Sequence, residues 1–225
     1  MRWEERDGVR WLASDLPRAR AAFSTRSAGS VKESHVPLAT ALGISPDRVA
    51  AGRQVHSVEL AFRDVAGAGE RPEADGQVIA EQGPVGLVYV ADCLPVALVG
   101  PDGAAMLHCG RRGLAAGIVA AGVRAVGATH AAIGPGIGPC CYEVGEEVLE
   151  AFSALGDGVA SGRMLDLPEV ARRLLREAGV SEVESAGLCT CCEEELFFSH
   201  RRDGGPGRQA GLVWIEDEGE QRCPA

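Results

Sequence analysis

The stretch over residues 85–107 places the tightest limit on what this chain can fold into. Three apolar runs, 85–91, 94–99 and 104–107, follow one another with only Asp-Cys-Leu-Pro and Pro-Asp-Gly breaks between them. Runs of this length between breakers are too short for helices and read as consecutive buried strands. The chain has 225 residues but only ten aromatics, so Ala, Val, Leu and Gly must supply most of the packing around those strands.

Other segments fill in around this apolar middle. Residues 2–11 read as a hairpin turning at Asp7-Gly8. Strand patterns recur over 21–25, 54–65, 77–80, 130–133, 183–187 and 208–215. Helical patterns cover 37–43, 113–126, 146–155 and 167–178, and Ser45-Pro46 can begin a further turn. In 167–178 the stripe Leu167, Val170, Leu174, Leu175, Ala178 follows a capping-box pair, Asp166 and Glu169, and Gly179 marks the stop. Helices and strands mix without strict βαβ alternation, which predicts an α+β fold. No Gly/Ser/Pro linker divides the chain, so residues 1–225 are expected to form one domain.

Charge and cysteines narrow the function. With 22 Lys and Arg against 32 Asp and Glu, the net charge is −10, which argues against nucleic acid or an anionic membrane as partner. An anionic substrate would need a local arginine cluster to override that field. Eight cysteines occur without a secretory signal or an 18-residue apolar run, so the expected location is the cytoplasm. Thiols there are more often buried, metal-bound or catalytic than paired as disulfides.

His56, Cys93 and His108 stand out, each predicted beside or on a strand and near breakers. One thiolate and two imidazoles suit zinc, and three protein ligands leave a fourth position open. Separations of 37 and 15 residues are no local metal signature, and spacing leaves buried core residues as the alternative. Cys189-Thr190-Cys191-Cys192 looks like half of a zinc knuckle, against which Cys140-Cys141 could fold, although packing thiols are the simpler reading. Cys223 is expected to be incidental. Arg26, Arg111-Arg112 and Arg201-Arg202 could hold an anion beside glycine-rich turns. Residues 134–138 match neither the dinucleotide nor the P-loop pattern and read as a tight loop shaping a pocket.

Several blocks together resemble a known family. Gln54-Val55-His56, Ala74-Asp75-Gly76, Ala91-Asp92-Cys93-Leu94-Pro95, His108-Cys109-Gly110-Arg111, Gly134-Pro135-Gly136-Ile137-Gly138-Pro139-Cys140-Cys141-Tyr142-Glu143 and Phe197-Phe198-Ser199-His200-Arg201-Arg202-Asp203 occur in the order found in YfiH-like laccase-domain proteins. The resemblance implies layered mixed sheets flanked by helices, and a zinc held by His56, Cys93 and His108, with copper the secondary choice. It implies purine nucleoside phosphorylase activity, with adenosine deamination beside it, on a purine nucleoside and phosphate. Arg26 matches an arginine at the family's pocket. Arg111 and Cys109 depart from the usual residues, and 30–37 is shorter than the corresponding family segment.

For phosphorolysis, Arg26, Arg112 and Arg202 are expected to hold the anion, Cys140 and Cys141 to line the pocket wall, and Asp75 or Asp92 to act as acid or base or as a histidine's partner. Two rival readings remain. A cysteine amide hydrolase editing peptidoglycan precursors would use Cys93 as nucleophile and His108 as base. A degenerate protein would bind metal and nucleoside without turnover. Five histidines are too few for a multicopper oxidase.

Overall fold

The computed structural model describes residues 1–63 and 71–216. Strands β1 (Arg2–Arg6) and β2 (Val9–Leu16) form the expected hairpin, with Asp7 and Gly8 both at positive φ as the tight turn demands. Then come β3 (Ala19–Ser24), α1 (Val36–Leu42), β4 (Val49–Ala51) and β5 (Leu60–Arg63). The apolar middle supplies β6 (Gly76–Ile79), β7 (Val85–Val90), β8 (Leu94–Gly100) and β9 (Gly103–Cys109). After it run α2 (Arg111–Ala116), α3 (Ile118–Val126), β10 (His130–Ile133) and α4 (Glu146–Ala151). The chain continues through the two-residue strands β11 (Ala160–Ser161) and β12 (Met164–Leu165), then α5 (Leu167–Glu177), β13 (Glu182–Ser185), α6 (His200–Asp203) and β14 (Gln209–Ile215).

Two six-stranded mixed sheets result, ordered β1-β2-β3-β14-β7-β4 and β13-β10-β8-β9-β6-β5. The period of two along each strand divides the apolar runs among three cores. Ala97 and Val99 of β8, Ala104 and Met106 of β9, and Val88 and Val90 of β7 meet Phe23 and Val213 between the sheets. On the opposite face of β8 and β9, Leu94, Val96, Leu98 and Leu107 pack under α3 and α5. Val85 and Leu87 of β7 face outward to Leu38, Ala39 and Ala41 of α1. The layers are therefore helix, sheet, sheet, helices. The runs lack polar alternation because both faces of each strand are covered.

Four expectations change in detail. The strand expected over 54–65 shrinks to Leu60–Arg63, because the preceding residues turn around a buried carboxylate; residues 64–65 lie outside the described residues. The helix expected over 113–126 is two helices, broken at Gly117, whose φ of 95° ends α2 in the left-handed region. The segment 146–155 is α4 followed by a 3₁₀ turn, Ser153–Leu155. Helix α5 is capped by Asp166 accepting from the Glu169 amide at 2.9 Å, but the reciprocal half of the capping box is absent. Glu169 pairs instead with Arg172 and Arg173, and the Asp166 N–H goes to Val159 O. No helix among the described residues is long and apolar enough to cross a membrane.

Candidate active site

Three chain segments meet at one end of the inner strands. His108 lies near the end of β9, where strand pairing fixes it opposite Pro95 of β8. Cys93 sits in the turn between β7 and β8, after Asp92, which adopts φ 85°. His56 is on neither strand nor helix; it occupies a loop at φ 62°. A positive φ is costly for residues other than Gly, at about 1–3 kcal/mol each, and persists only where surrounding contacts over-determine it.

Those contacts are visible. Asp75, fully buried before β6, accepts at Oδ1 from the His56 amide (3.0 Å) and at Oδ2 from the amides of Val55 (3.0 Å) and Ser57 (2.7 Å). The Ser57 hydroxyl adds a bond at 2.9 Å, and His108 Nδ1 lies 2.7 Å from Oδ1. Burial alone would raise the Asp75 pKa, but bonds from His108 and from the Ser57 and Val55 amides hold it well below the usual carboxylate range. One carboxylate thus folds the His56 loop and orients the His108 ring, leaving His108 Nε2 free to face Cys93. Asp92 is held in the same manner: its carboxylate accepts from Thr190 Oγ1 (2.8 Å) and the Arg201 amide (2.6 Å).

The ligand atoms of His56, Cys93 and His108 lie within 4.8 Å of one another. Tetrahedral zinc, with bonds of about 2.3 Å to S and about 2.0 Å to N, holds S and N about 3.6 Å apart. Cys93 Sγ and His56 Nε2 stand 4.0 Å apart, close to that span. A second observation fits a bound ion: a Cβ on Gly110 would fall 2.8 Å from Cys93 Sγ and 3.0 Å from His56 Cδ2, so the space beside these ligands depends on glycine. The carboxylate–histidine pairing of Asp75 with His108 is the usual support of a metal-binding imidazole. Without an ion the trio is an acid–base couple. Burial opposes both charges, yet His108 and His56 lower Cys93 to about 6, while Cys93 and Asp75 raise His108 to about 9.

These ligands open into a cavity of about 690 Å³, within the usual range for small-molecule sites. Lys32, Arg53, Arg71, Arg201 and Arg208 line it, against Asp92 as the one carboxylate among the described residues that line it. The anion-attracting cluster that an acidic chain requires is therefore present, but of the expected arginines it includes Arg201 and not Arg26, Arg111, Arg112 or Arg202. Arg26 stacks on Phe198 (4.7 Å) and bonds Glu194 O and Asp203. Arg112 borders a separate shallow hollow beside Glu147. Arg202 donates to the carbonyls of Thr190, Cys191 and Phe197. None of the three lines the cavity, and neither do Cys140 and Cys141, which cluster with Cys189 and Cys192. Successive helix residues diverge by about 100°, so Arg201 reaches the cavity while its neighbour Arg202 caps the adjoining loop.

Sequence reasoning named Arg201 as an anion candidate but missed Lys32, Arg53, Arg71, Tyr89, Tyr142, His200 and Arg208 as lining residues. Arg53, Tyr142, His200 and Arg201 sit in or beside the motif blocks, and that adjacency was the available signal. Lys32 comes from the shortened 30–37 segment, which therefore still contributes to the cavity. Arg71 crosses the Tyr89 ring at 5.3 Å and bonds its hydroxyl; Arg201 crosses Tyr142 at the same distance. Gln54 is spent on structure, since both ends of its amide bond the Tyr89 backbone.

Comparison with known proteins places this geometry in context. Residues 22–216 match the sequence model of a family described as multi-copper polyphenol oxidoreductase laccase. A protein of Xylella fastidiosa named purine nucleoside phosphorylase is 39% identical over 183 residues, covering 72% of this chain and 70% of that one. One of Streptomyces coelicolor with the same name is 38% identical over 207 residues, 84% of each chain. Among solved structures, YlmD from Geobacillus stearothermophilus superposes with a TM-score of 0.81 at 28% identity, over 96% of this chain and 99% of that one. The Neisseria meningitidis protein NMB0706 gives 0.78 at 29% identity, over 92% and 99%.

Proposed function

The chain belongs to the multi-copper polyphenol oxidoreductase laccase family, and we propose that within it this protein is a purine nucleoside phosphorylase. The observation that carries the reading is a cavity with five Lys and Arg side chains beside a two-histidine, one-cysteine metal triad, on a chain of net charge −10. The names of the Xylella and Streptomyces relatives support the same reaction.

In phosphorolysis a phosphate oxygen bonds the anomeric carbon of the ribose as the bond from that carbon to the purine nitrogen breaks. The purine departs with the electron pair and takes up a proton. Lys32, Arg53, Arg71 and Arg208 hold the phosphate and offset its charge as it approaches the sugar. The rings of Tyr89 and Tyr142, each covered by a guanidinium, give planar faces against which a purine stacks. His200 lines the cavity outside the metal triad and is the group we assign to protonating the leaving base. Asp75 and Asp92 act as positioning residues, since their carboxylates are engaged by His108, Thr190 and backbone amides. Zinc bound by His56, Cys93 and His108 supplies Lewis acidity at the cavity floor, the chemistry that adenosine deamination needs.

The test is direct. Zinc-loaded protein incubated with adenosine and phosphate should yield adenine and ribose 1-phosphate, with inosine as the deamination product. No product from adenosine or inosine would overturn the phosphorylase reading. One observation favours a second reading: Cys93, lowered to about 6, beside His108, raised to about 9, forms a thiolate–imidazolium pair, a nucleophile with its proton donor, suited to amide hydrolysis. Zinc discriminates, because an ion at one per chain in this site occupies the thiolate; hydrolysis would then rise, not fall, on chelation.

A further inference from the structure

Away from the cavity, a second sulfur cluster joins two loops. Residues 134–145 and 186–199 run side by side through a parallel bridge between Gly136 and Cys189. Backbone bonds Thr190 N to Gly136 O (2.9 Å) and Gly136 N to Leu188 O (3.4 Å) hold them together. This alignment sets the adjacent pair Cys140-Cys141 against Cys189 and Cys192, which carry C-x-x-C spacing. The turn between the latter is closed by the amides of Cys192 and Glu193 donating to Cys189 O.

All four sulfurs lie within 4.8 Å of one another. Cys192 Sγ is 3.3 Å from Cys140 Sγ and 3.5 Å from Cys141 Sγ. Zinc–thiolate bonds of about 2.3 Å place tetrahedral sulfurs about 3.8 Å apart, a value inside this spread. The pairs are too long for S–S bonds, and all four thiols are free. The Gly138 amide donates to Cys189 Sγ at 3.2 Å, fixing that sulfur's orientation toward the group. Four thiolates on a divalent ion carry a net double negative charge, and two guanidiniums already sit against the same loops. Arg201 donates to Cys141 O (3.4 Å), and Arg202 to Thr190 O and Cys191 O (2.9 Å each). We propose that Cys140, Cys141, Cys189 and Cys192 hold one zinc ion in a closed four-thiolate site that staples the two loops behind the cavity wall.

Binding releases the four thiol protons and requires no redox partner. The consequence for the cavity is mechanical. Ile137 and Tyr142 bracket the first thiol pair and line the cavity; Thr190, between the second pair, bonds Asp92 beside Cys93. The staple therefore fixes the wall that faces the His56–Cys93–His108 triad while leaving no open coordination position of its own.

Metal analysis of purified zinc-loaded protein should find two zinc ions per chain in wild type and one in Cys93→Ala, which removes only the triad's thiolate. Cobalt exchanged into Cys93→Ala should show intense thiolate-to-cobalt charge-transfer absorption and tetrahedral d–d bands. Cys189→Ser/Cys192→Ser should halve the wild-type zinc content; should that variant fail to fold, thiol titration of native Cys93→Ala should release one zinc as four thiols react. A Cys93→Ala protein with no zinc and no charge-transfer band, or a Cys140–Cys192 disulfide in freshly purified protein, would overturn the proposal. Because the readout uses a variant lacking the triad thiolate, it stands or falls separately from phosphorylase activity.

Discussion

Replacing Asp75 separates the fold from the metal site. Its carboxylate collects three backbone amides, the Ser57 hydroxyl and His108 Nδ1, all between 2.7 and 3.0 Å, at full burial. Asp75→Ala strands these donors. A buried donor left unpaired costs about 1–3 kcal/mol, and with the exposed His56 and Val55 partly rehydrated, two to three such penalties give about 2–9 kcal/mol. Against a typical total of about 5–15 kcal/mol this is a severe loss. Asp75→Asn should behave differently. Its single oxygen is best placed at Oδ2, where three donors converge, which turns the NH₂ toward the His56 amide and His108. His108 can then pair only by accepting at Nδ1, and its proton moves to Nε2, the nitrogen facing Cys93. Zinc at Nε2 would force the remaining proton onto Nδ1, where it meets the NH₂ instead of an acceptor, so affinity should fall by about 10–100-fold while stability falls by only about 1–3 kcal/mol. Urea unfolding of metal-free protein and chelator competition for zinc measure the two effects. The sign with pH follows from the depressed pKa: Asp75 contributes its stabilisation above the unfolded value near 4, and loses it as pH falls through its far lower folded value. Wild-type zinc affinity in Asp75→Asn, with an unchanged urea midpoint in Asp75→Ala, would refute the reasoning.

Three further outcomes are expected. Gly110→Ala, at φ −84° and free of backbone strain, drives a methyl to 2.8 Å from Cys93 Sγ; it should abolish zinc binding at the triad, read by metal analysis, while the unfolding temperature of metal-free protein stays close to wild type. In metal-free protein, iodoacetamide should modify Cys93 at a rate that rises with pH through about 6 and then levels, instead of climbing through the ordinary thiol range, and added zinc should block it. The charged thiolate–imidazolium couple spans the window from about 6 to about 9, because one pKa is lowered and the other raised. Lys32→Ala should raise KM for phosphate about 10–100-fold with little change in KM for nucleoside, since a charge-assisted bond contributes about 1.5–3 kcal/mol; an unchanged phosphate KM would remove Lys32 from the anion site.

Much of the layered fold was legible because the apolar runs over 85–107 admit few alternatives: strands without polar alternation must be covered on both faces. The helix break at Gly117 was less so, since a small-residue stretch keeps helical periodicity on both sides of one left-handed residue. His56, Cys93 and His108 could be picked out as candidate metal ligands by type and by their place beside breakers, but spacing alone left a buried-core reading open. The arginines could not be assigned from sequence. Arg201 and Arg202 are neighbours with the same chemistry, and both donate to backbone carbonyls, but their angular separation on α6 brings only Arg201 to the cavity. Arg208 and Lys32 reach the cavity through tertiary folding that no local pattern records. Cys223 lies outside the described residues.

Strain explains why two aspartates that look like catalysts in the sequence serve as positioning residues here. Among the described residues, four other than glycine take positive φ: Asp7, Arg18, His56 and Asp92. Asp7 and Arg18 turn tight corners between β1, β2 and β3, where chain reversal itself demands that geometry. His56 sits in a loop and Asp92 in the connection between β7 and β8, which belong to different sheets, so neither closes a hairpin. Each is instead held by hydrogen bonds from elsewhere in the chain, His56 through Asp75 and Asp92 through Thr190 and the Arg201 amide. These bonds offset a cost of about 1–3 kcal/mol at each residue, and the conformation they stabilise aims His56 and Cys93 at a common point. A carboxylate committed to that task has its acceptor sites filled, and a low pKa, as at Asp75, keeps it from carrying a proton near neutrality. The acid for the leaving base must then come from a group with free capacity in the cavity, and that is the argument for His200.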